Sequence, residues 1–230
     1  MTKISVIMPV YNTKSIYLKE AIESILAQTY KDYKFLILND SPENTIIKSI
    51  VKSYNDTRIS YYENTSTQGI ARSYNNLLSL CDTKYIALMN HDDISLPDRL
   101  EQQFKYLEKN LNIGLVGTAY KKFGEINRFK NIYPPTNDIK IRSLLFFKSP
   151  IHHPTIMLRK NIISLHRIRY DEKYISFWVR DCALMAESGL LPDHILKKYI
   201  EIIALNGHNG NETLLLENGL TVPPYTIADH

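Results

Sequence analysis

The sequence predicts an α/β domain: a mostly parallel sheet with helices packed on its faces. Three observations predict it. Short apolar runs alternate with stretches whose apolar residues recur at helical spacing. The runs are continuous rather than alternating, as strands covered on both faces require. The 230 residues, 44% hydrophobic and 23% charged, also hold enough apolar material for one sizeable core.

Residues 4–8, Ile-Ser-Val-Ile-Met, read as the first strand, with Pro9 expected to end it. Leu18, Ala21, Ile22, Ile25 and Leu26 then mark one face of a helix, for which Thr13 or Ser15 is available as a cap. Residues 35–38 repeat the strand, and Ile46, Ile47, Ile50, Val51 and Tyr54 give a second helix its apolar stripe. Residues 59–62 read as a third strand, followed from about Gly69 by a helix with Tyr74, Leu77, Leu78 and Cys81 inward. Residues 85–89 make a fourth strand. Pro97 stands where the next helix would begin, with Leu100, Phe104 and Leu107 on its buried side. Residues 113–120 read as a fifth strand.

The alternation loosens after that. Residues 121–139 are polar and contain Pro134-Pro135, which reads as an excursion over the surface; residues 155–158 are strand-like. The expected division is one domain over residues 1–205, in two halves at 1–120 and 121–205, and a tail at 206–230 that is rich in Asn, Gly and Thr.

Several classes fall away. No stretch approaches the roughly 20 apolar residues of a spanning helix. Met1-Thr2-Lys3 runs straight into a strand without the pattern of a signal peptide, which predicts a cytoplasmic chain. Cys81 and Cys182 are far apart and lack a CxxC partner, so neither a zinc site nor a disulfide scaffold is expected, only ordinary half-buried thiols. A formal net charge of +4 without a dense basic cluster argues against nucleic acid, and leaves open peripheral contact with an anionic membrane.

In parallel sheets, ligands bind beyond the carboxyl ends of the strands. Those ends carry Pro9-Val10-Tyr11-Asn12, Asn39-Asp40-Ser41 and Asn90-His91-Asp92-Asp93. A tyrosine ring can stack on a flat base and an aspartate can accept from a base N–H. Two adjacent carboxylates repel unless a cation intervenes, and Mg²⁺ or Mn²⁺ selects oxygen ligands together with a substrate diphosphate.

The ordered combination of these segments resembles glycosyltransferase family 2. It runs from residues 4–12 through 21–30 and 38–41, then Gly69-Ile70-Ala71-Arg72 with Asn75, then residues 84–100, Val116-Gly117-Thr118 and His153-Pro154-Thr155. The resemblance implies a GT-A fold and an inverting, metal-dependent hexosyltransferase that moves a sugar from a nucleotide diphosphate, with a UDP-sugar the expected donor. The acceptor would be a glycan or lipid-linked hydroxyl in cell-surface polysaccharide synthesis. Carried over by position, Pro9 and Tyr11 would hold the nucleotide, Asp40 would accept from the base, and Arg72 would lie near the donor. Asp92 would meet the donor sugar, and Asp92 with Asp93 would hold Mn²⁺ or Mg²⁺.

Two departures stand out. Family members commonly carry Asp where this chain has Asn90. The family's Glu-Asp pair, whose Asp is the general base, is also missing after Tyr170-Asp171-Glu172, where the nearest acid is Asp181. Asp181 is therefore the expected catalytic base, and a degenerate nucleotide-sugar-binding relative is the alternative. A nucleotidyltransferase is disfavoured, because Pro9-Val10-Tyr11-Asn12 has neither the glycine nor the positive charge of a triphosphate loop.

Overall fold

The structure is a computed structural model, and it describes residues 2–122, 130–145, 149–166 and 168–172, with short strands at 214–215 and 221–222. Four strand-and-helix steps and a fifth strand open the chain. They are β1 (Ile4–Val10), α1 (Ser15–Leu26), β2 (Tyr33–Asn39), α2 (Thr45–Ser53), β3 (Ile59–Glu63), α3 (Ile70–Leu80), β4 (Tyr85–Leu88), α4 (Arg99–Lys109) and β5 (Leu115–Val116). A small hairpin follows, β6 (Tyr120–Lys122) with β7 (Lys130–Ile132), then α5 (Asp138–Leu145), a 3₁₀ turn at His153–Thr155, β8 (Met157–Arg159) and α6 (Lys160–His166). A two-residue pair, β9 (Leu214–Leu215) and β10 (Thr221–Val222), is antiparallel.

The main sheet has the order β3-β2-β1-β4-β8-β5. β1, β2, β3 and β4 run parallel, while β8 is antiparallel to both β4 and β5. Two apolar layers cover it, since every residue of β1 is buried. Val6, Met8 and Val10 pack with α1, α2 and α4, whereas Ile7, Leu36 and Leu88 pack with α3 on the opposite face. A fully buried Leu or Ile side chain contributes roughly 1.5–3 kcal/mol, so these layers dominate the stability of the domain.

Several local expectations are corrected. β1 continues through Pro9 to Val10, for a reason visible in the ladder. Ile7 accepts from Met89 N–H on the β4 side, and residues 7 and 9 face the same way along a strand. At the level of Pro9 the β4 ladder has already ended at Leu88, so proline's missing N–H costs no ladder bond. Neither Thr13 nor Ser15 caps α1, whose N-cap is Lys14 with no side-chain bond. Ile46 lies exposed in the first turn of α2 rather than in its buried stripe. Cys81 is fully rather than half buried, and desolvation pushes its thiol up to about 11.

The expected fifth strand at 113–120 pairs only at Leu115–Val116, and Tyr120 leaves into the hairpin. A Cβ on Gly117 would lie 2.2 Å from the Ile151 side chain, so the backbone there is pressed against the segment leading into β8. The expected strand at 155–158 forms two residues later, as β8, and inserts between β4 and β5. The boundary at 205–206 lies outside the described residues.

Candidate functional site

The chain lays down β1, β2 and β3 outward in one direction, then crosses beneath α3 to place β4 on the other side of β1. The direction of winding therefore reverses between β1 and β4, which is where open α/β sheets bind ligands. Pro9 stands there, past the end of the β4 ladder.

Tyr11 follows β1 with half its surface exposed (49%), leaving its ring open for stacking. Asn12 adopts φ +45°, a left-handed conformation that asparagine tolerates, and its N–H donates to Ser41 Oγ at 2.9 Å. The turn after β1 is thereby tied to the end of β2. Asp40 is almost fully buried, and three donors converge on it. Asn64 Nδ2 (2.6 Å) and Gln68 N–H (2.8 Å) reach Oδ1, and Gly69 N–H (2.8 Å) reaches Oδ2. Gly69 can present that N–H because φ +87° is accessible to glycine. Asp40 thus anchors the entry to α3.

After β4, Asp92 is exposed and Asp93 half-buried. Asn90 is wired between its neighbours: its Nδ2 donates to Asp93 Oδ2 (3.0 Å), and its Oδ1 accepts from the Tyr74 hydroxyl (3.3 Å). An aspartate at 90 could not donate to Asp93, so the departure from the family pattern gives this carboxylate an orienting partner. His91 is partly desolvated, which holds its imidazole below the usual range against the opposing charge of Asp92. Its Nδ1 is buried with no hydrogen-bond partner among the described residues.

Beneath this loop lies a buried cation. Arg99, the first residue of α4, donates to the carbonyls of Leu88 (2.9 Å) and Ile156 (3.2 Å) and to Gln103 Oε1 (3.1 Å). Desolvation lowers its pKa to about 10, while the charge of Asp93 opposes that shift and favours the cation. Arg99 therefore ties the end of β4 to the approach of β8 and sets a fixed positive charge near the acidic pair. The sequence reading assigns Arg99 no role. A signal was available in Arg99-Leu100-x-x-Gln103, two polar residues flanking a buried leucine at i and i+4.

Arg72 lies in the first turn of α3, and both its Nε (2.9 Å) and Nη2 (2.7 Å) donate to Glu172 Oε2. Asn75, one turn on, exchanges two bonds with the Tyr170 backbone, each 2.9 Å. His153 is buried, and its Nε2 meets Tyr170 Oη at 2.8 Å. The segment 168–172 is thereby docked along α3. Pro9, Tyr11, Asp40, Asp92 and Asp93 come together at the carboxyl edge of the sheet, whereas Arg72 is engaged with the later half. Asp181 lies outside the described residues.

The residues fit a hard cation that takes most of its ligands from a diphosphate and water. Two carboxylates stand at the rim, and no cage of three or more His, Cys, Asp or Glu side chains forms among the described residues.

A family model, Glycosyl transferase family 2, matches residues 5–165. The chain belongs to this family. An uncharacterized glycosyltransferase of Methanocaldococcus jannaschii is 37% identical over 203 residues, which cover 84% of this chain and 69% of that protein. The O-antigen biosynthesis glycosyltransferase WbnJ of Escherichia coli is 34% identical over 166 residues, covering 71% of this chain and 64% of that one. Among solved structures, S. aureus TarS 1-349 in complex with UDP-GlcNAc superposes with a TM-score of 0.65 at 17% identity, over 81% of this chain and 53% of that one. The family 2 chain is thus a glycosyltransferase with the GT-A fold, spanning about two thirds or less of the length of these proteins.

Proposed function

We propose that the chain transfers a sugar, with inversion, from a nucleotide diphosphate donor to an acceptor hydroxyl, and that the donor is a UDP-sugar. The observation that carries this is the meeting of an exposed Tyr11, a preset Asp40 and the Asp92-Asp93 pair around the reversal between β1 and β4. Tyr11 would cover the base, Asp40 Oδ2 would accept from it, and Asp92 would meet the donor's sugar side. Asp92 and Asp93 would hold Mn²⁺ or Mg²⁺, which as a Lewis acid neutralises charge growing on a leaving diphosphate. Asn90 and Arg99 keep Asp93 oriented through one hydrogen bond and one nearby positive charge. Asp181 is the carboxylate assigned to take the acceptor proton.

The name of one relative, an O-antigen biosynthesis glycosyltransferase, supports a role in cell-surface polysaccharide synthesis. A glycan or lipid-linked acceptor, and peripheral contact with the cytoplasmic face of a membrane, belong to the same proposal; no helix among the described residues is long and apolar enough to cross a membrane. A degenerate binding relative remains the second reading, favoured by the missing Glu-Asp pair.

A thermal-shift screen of UDP-, GDP- and dTDP-sugars with and without Mn²⁺ tests the donor site, because a ligand bound only by the folded state raises its melting temperature. The expected result is a shift with UDP-sugars that grows with Mn²⁺ and is lost in Asp92→Ala. No shift with any donor would sink the proposal. Binding without hydrolysis or transfer would select the degenerate reading.

A further inference from the structure

Charge is unevenly divided along this chain. Residues 1–120 carry 13 Lys and Arg against 13 Asp and Glu, and residues 170–230 carry four against nine. Between them, residues 121–169 carry 11 basic side chains and only two acids, Glu125 and Asp138. The near-neutral total conceals a strongly basic middle segment, and the β6–β7 hairpin opens it.

The hairpin brings one of those cations to the rim. Lys122 and Tyr120 are two residues apart on β6 and share a face of the ribbon. The Tyr120 ring stacks on His152, with centroids 4.3 Å apart and planes inclined by 21°. His152 is exposed and its backbone is fixed: its carbonyl accepts from Thr155 N–H (2.9 Å) and Thr155 Oγ1 (2.6 Å), with Pro154 stiffening the turn. Lys122 and Asp92 both lie close enough for their charges to bear on the His152 imidazole. A stacked aromatic pair, an exposed cation and the donor-side carboxylate therefore occupy one corner, which neither the resemblance nor the donor assignment explains.

We propose that Tyr120, His152 and Lys122 form an acceptor subsite for a sugar that carries an anionic substituent, a carboxylate or a phosphate. The exposed His152 ring, seated on Tyr120, offers a flat surface to the C–H face of a pyranose, and the Lys122 ammonium supplies a charge-assisted hydrogen bond to the anion. Lysine suits this position because a compact cation on a flexible stem accepts either group without demanding one geometry. The neighbouring Asp92 sets the other limit, since an anion must sit on the Lys122 side of the rings. This subsite rests on the transferase reading, as it names the acceptor class for that reaction.

The test is saturation-transfer NMR of the full chain, with and without UDP and Mn²⁺, using methyl β-glucoside, methyl β-glucuronide and methyl β-glucoside 6-phosphate. At least one anionic sugar is expected to bind about tenfold more tightly than the neutral glucoside, and comparison of the two names the anion. Lys122→Glu should abolish that preference, and Tyr120→Ala should weaken all three together. Both variants should retain the UDP thermal shift, which keeps failure here distinct from failure of the donor reading. Equal binding of neutral and anionic sugars, no binding of any, or an unchanged preference in Lys122→Glu would overturn the proposal.

Discussion

The two ends of the central sheet are held together by different physics. From β3 to β4 the strands are parallel and stabilised by apolar burial along β1 and β2, which are covered on both faces, while β3 at the edge is half-buried. From β4 to β5 the strands are two or three residues long, and side-chain hydrogen bonds stitch them. Gln103 Nε2 donates to the Thr155 (2.7 Å) and Val116 (3.2 Å) carbonyls. Arg159 reaches the carbonyls of Ile113 (2.8 Å), Leu107 and Asn110, and the Tyr85 hydroxyl (2.9 Å). Short ladders supply few backbone bonds, so the polar stitches carry register at that end. The seam between the two regimes is β4, and the candidate site sits on it.

That contrast can be broken from the largest effect downward. Asp92→Ala should lower transfer about a thousandfold while leaving urea unfolding unchanged, because an exposed rim carboxylate serves neither regime. Unfolding at lower urea would show it to be a structural residue. Arg99→Met should cost about 3 kcal/mol in urea denaturation, because the buried Leu88 carbonyl loses the Arg99 donor and the Ile156 carbonyl keeps only the Leu88 N–H. Arg99→Lys should recover less than half of that, since an ammonium cannot span the fork.

Asn75→Ala should cost about 2 kcal/mol and speed hydrogen exchange at the Tyr170 amide, leaving the UDP thermal shift intact. On the parallel edge, Arg58 bonds to Asp56 and holds its carboxyl at about 2. A depressed acid stabilises the fold above its ordinary range and loses that contribution as pH falls from about 4 through about 2. Asp56→Asn should therefore flatten the stability profile in that window by about 1 kcal/mol, allowing for solvent screening. The smallest effect belongs to Glu172→Gln. Its exposed pair with Arg72 should leave the urea midpoint unchanged, and a rise in UDP-sugar affinity would place Arg72 at the donor.

The same contrast explains what could be read in advance. Strands buried on both faces advertise themselves as continuous apolar runs, so β1 to β4 and the inward faces of α1, α3 and α4 were legible from Ile4, Phe35, Tyr74 and Leu100 onward. The rim residues were legible because their place follows from where those runs stop. The bounds and pairing of β5 and β8 were not, since register there depends on Arg159 and Gln103 contacts across about 50 residues. The entanglement of Asp40 with Asn64 and Gly69 was equally hidden: spacing cannot show that a carboxylate offered to a ligand is already shared with a loop. The Tyr120–His152 corner escaped for the same reason, although the run of basic residues after 120 was countable.

Pro9 gives the rim a polarity. On the side of β1 facing β4, the last backbone position inside the strand can accept a hydrogen bond and cannot donate one. Any group settling there is sorted by what it carries: a base edge or hydroxyl that donates finds a backbone partner, and a phosphate oxygen finds none. Under the proposed donor binding, an orientation with the base toward β1 and the phosphates toward the loop after β4 would begin with the absence of a single hydrogen atom.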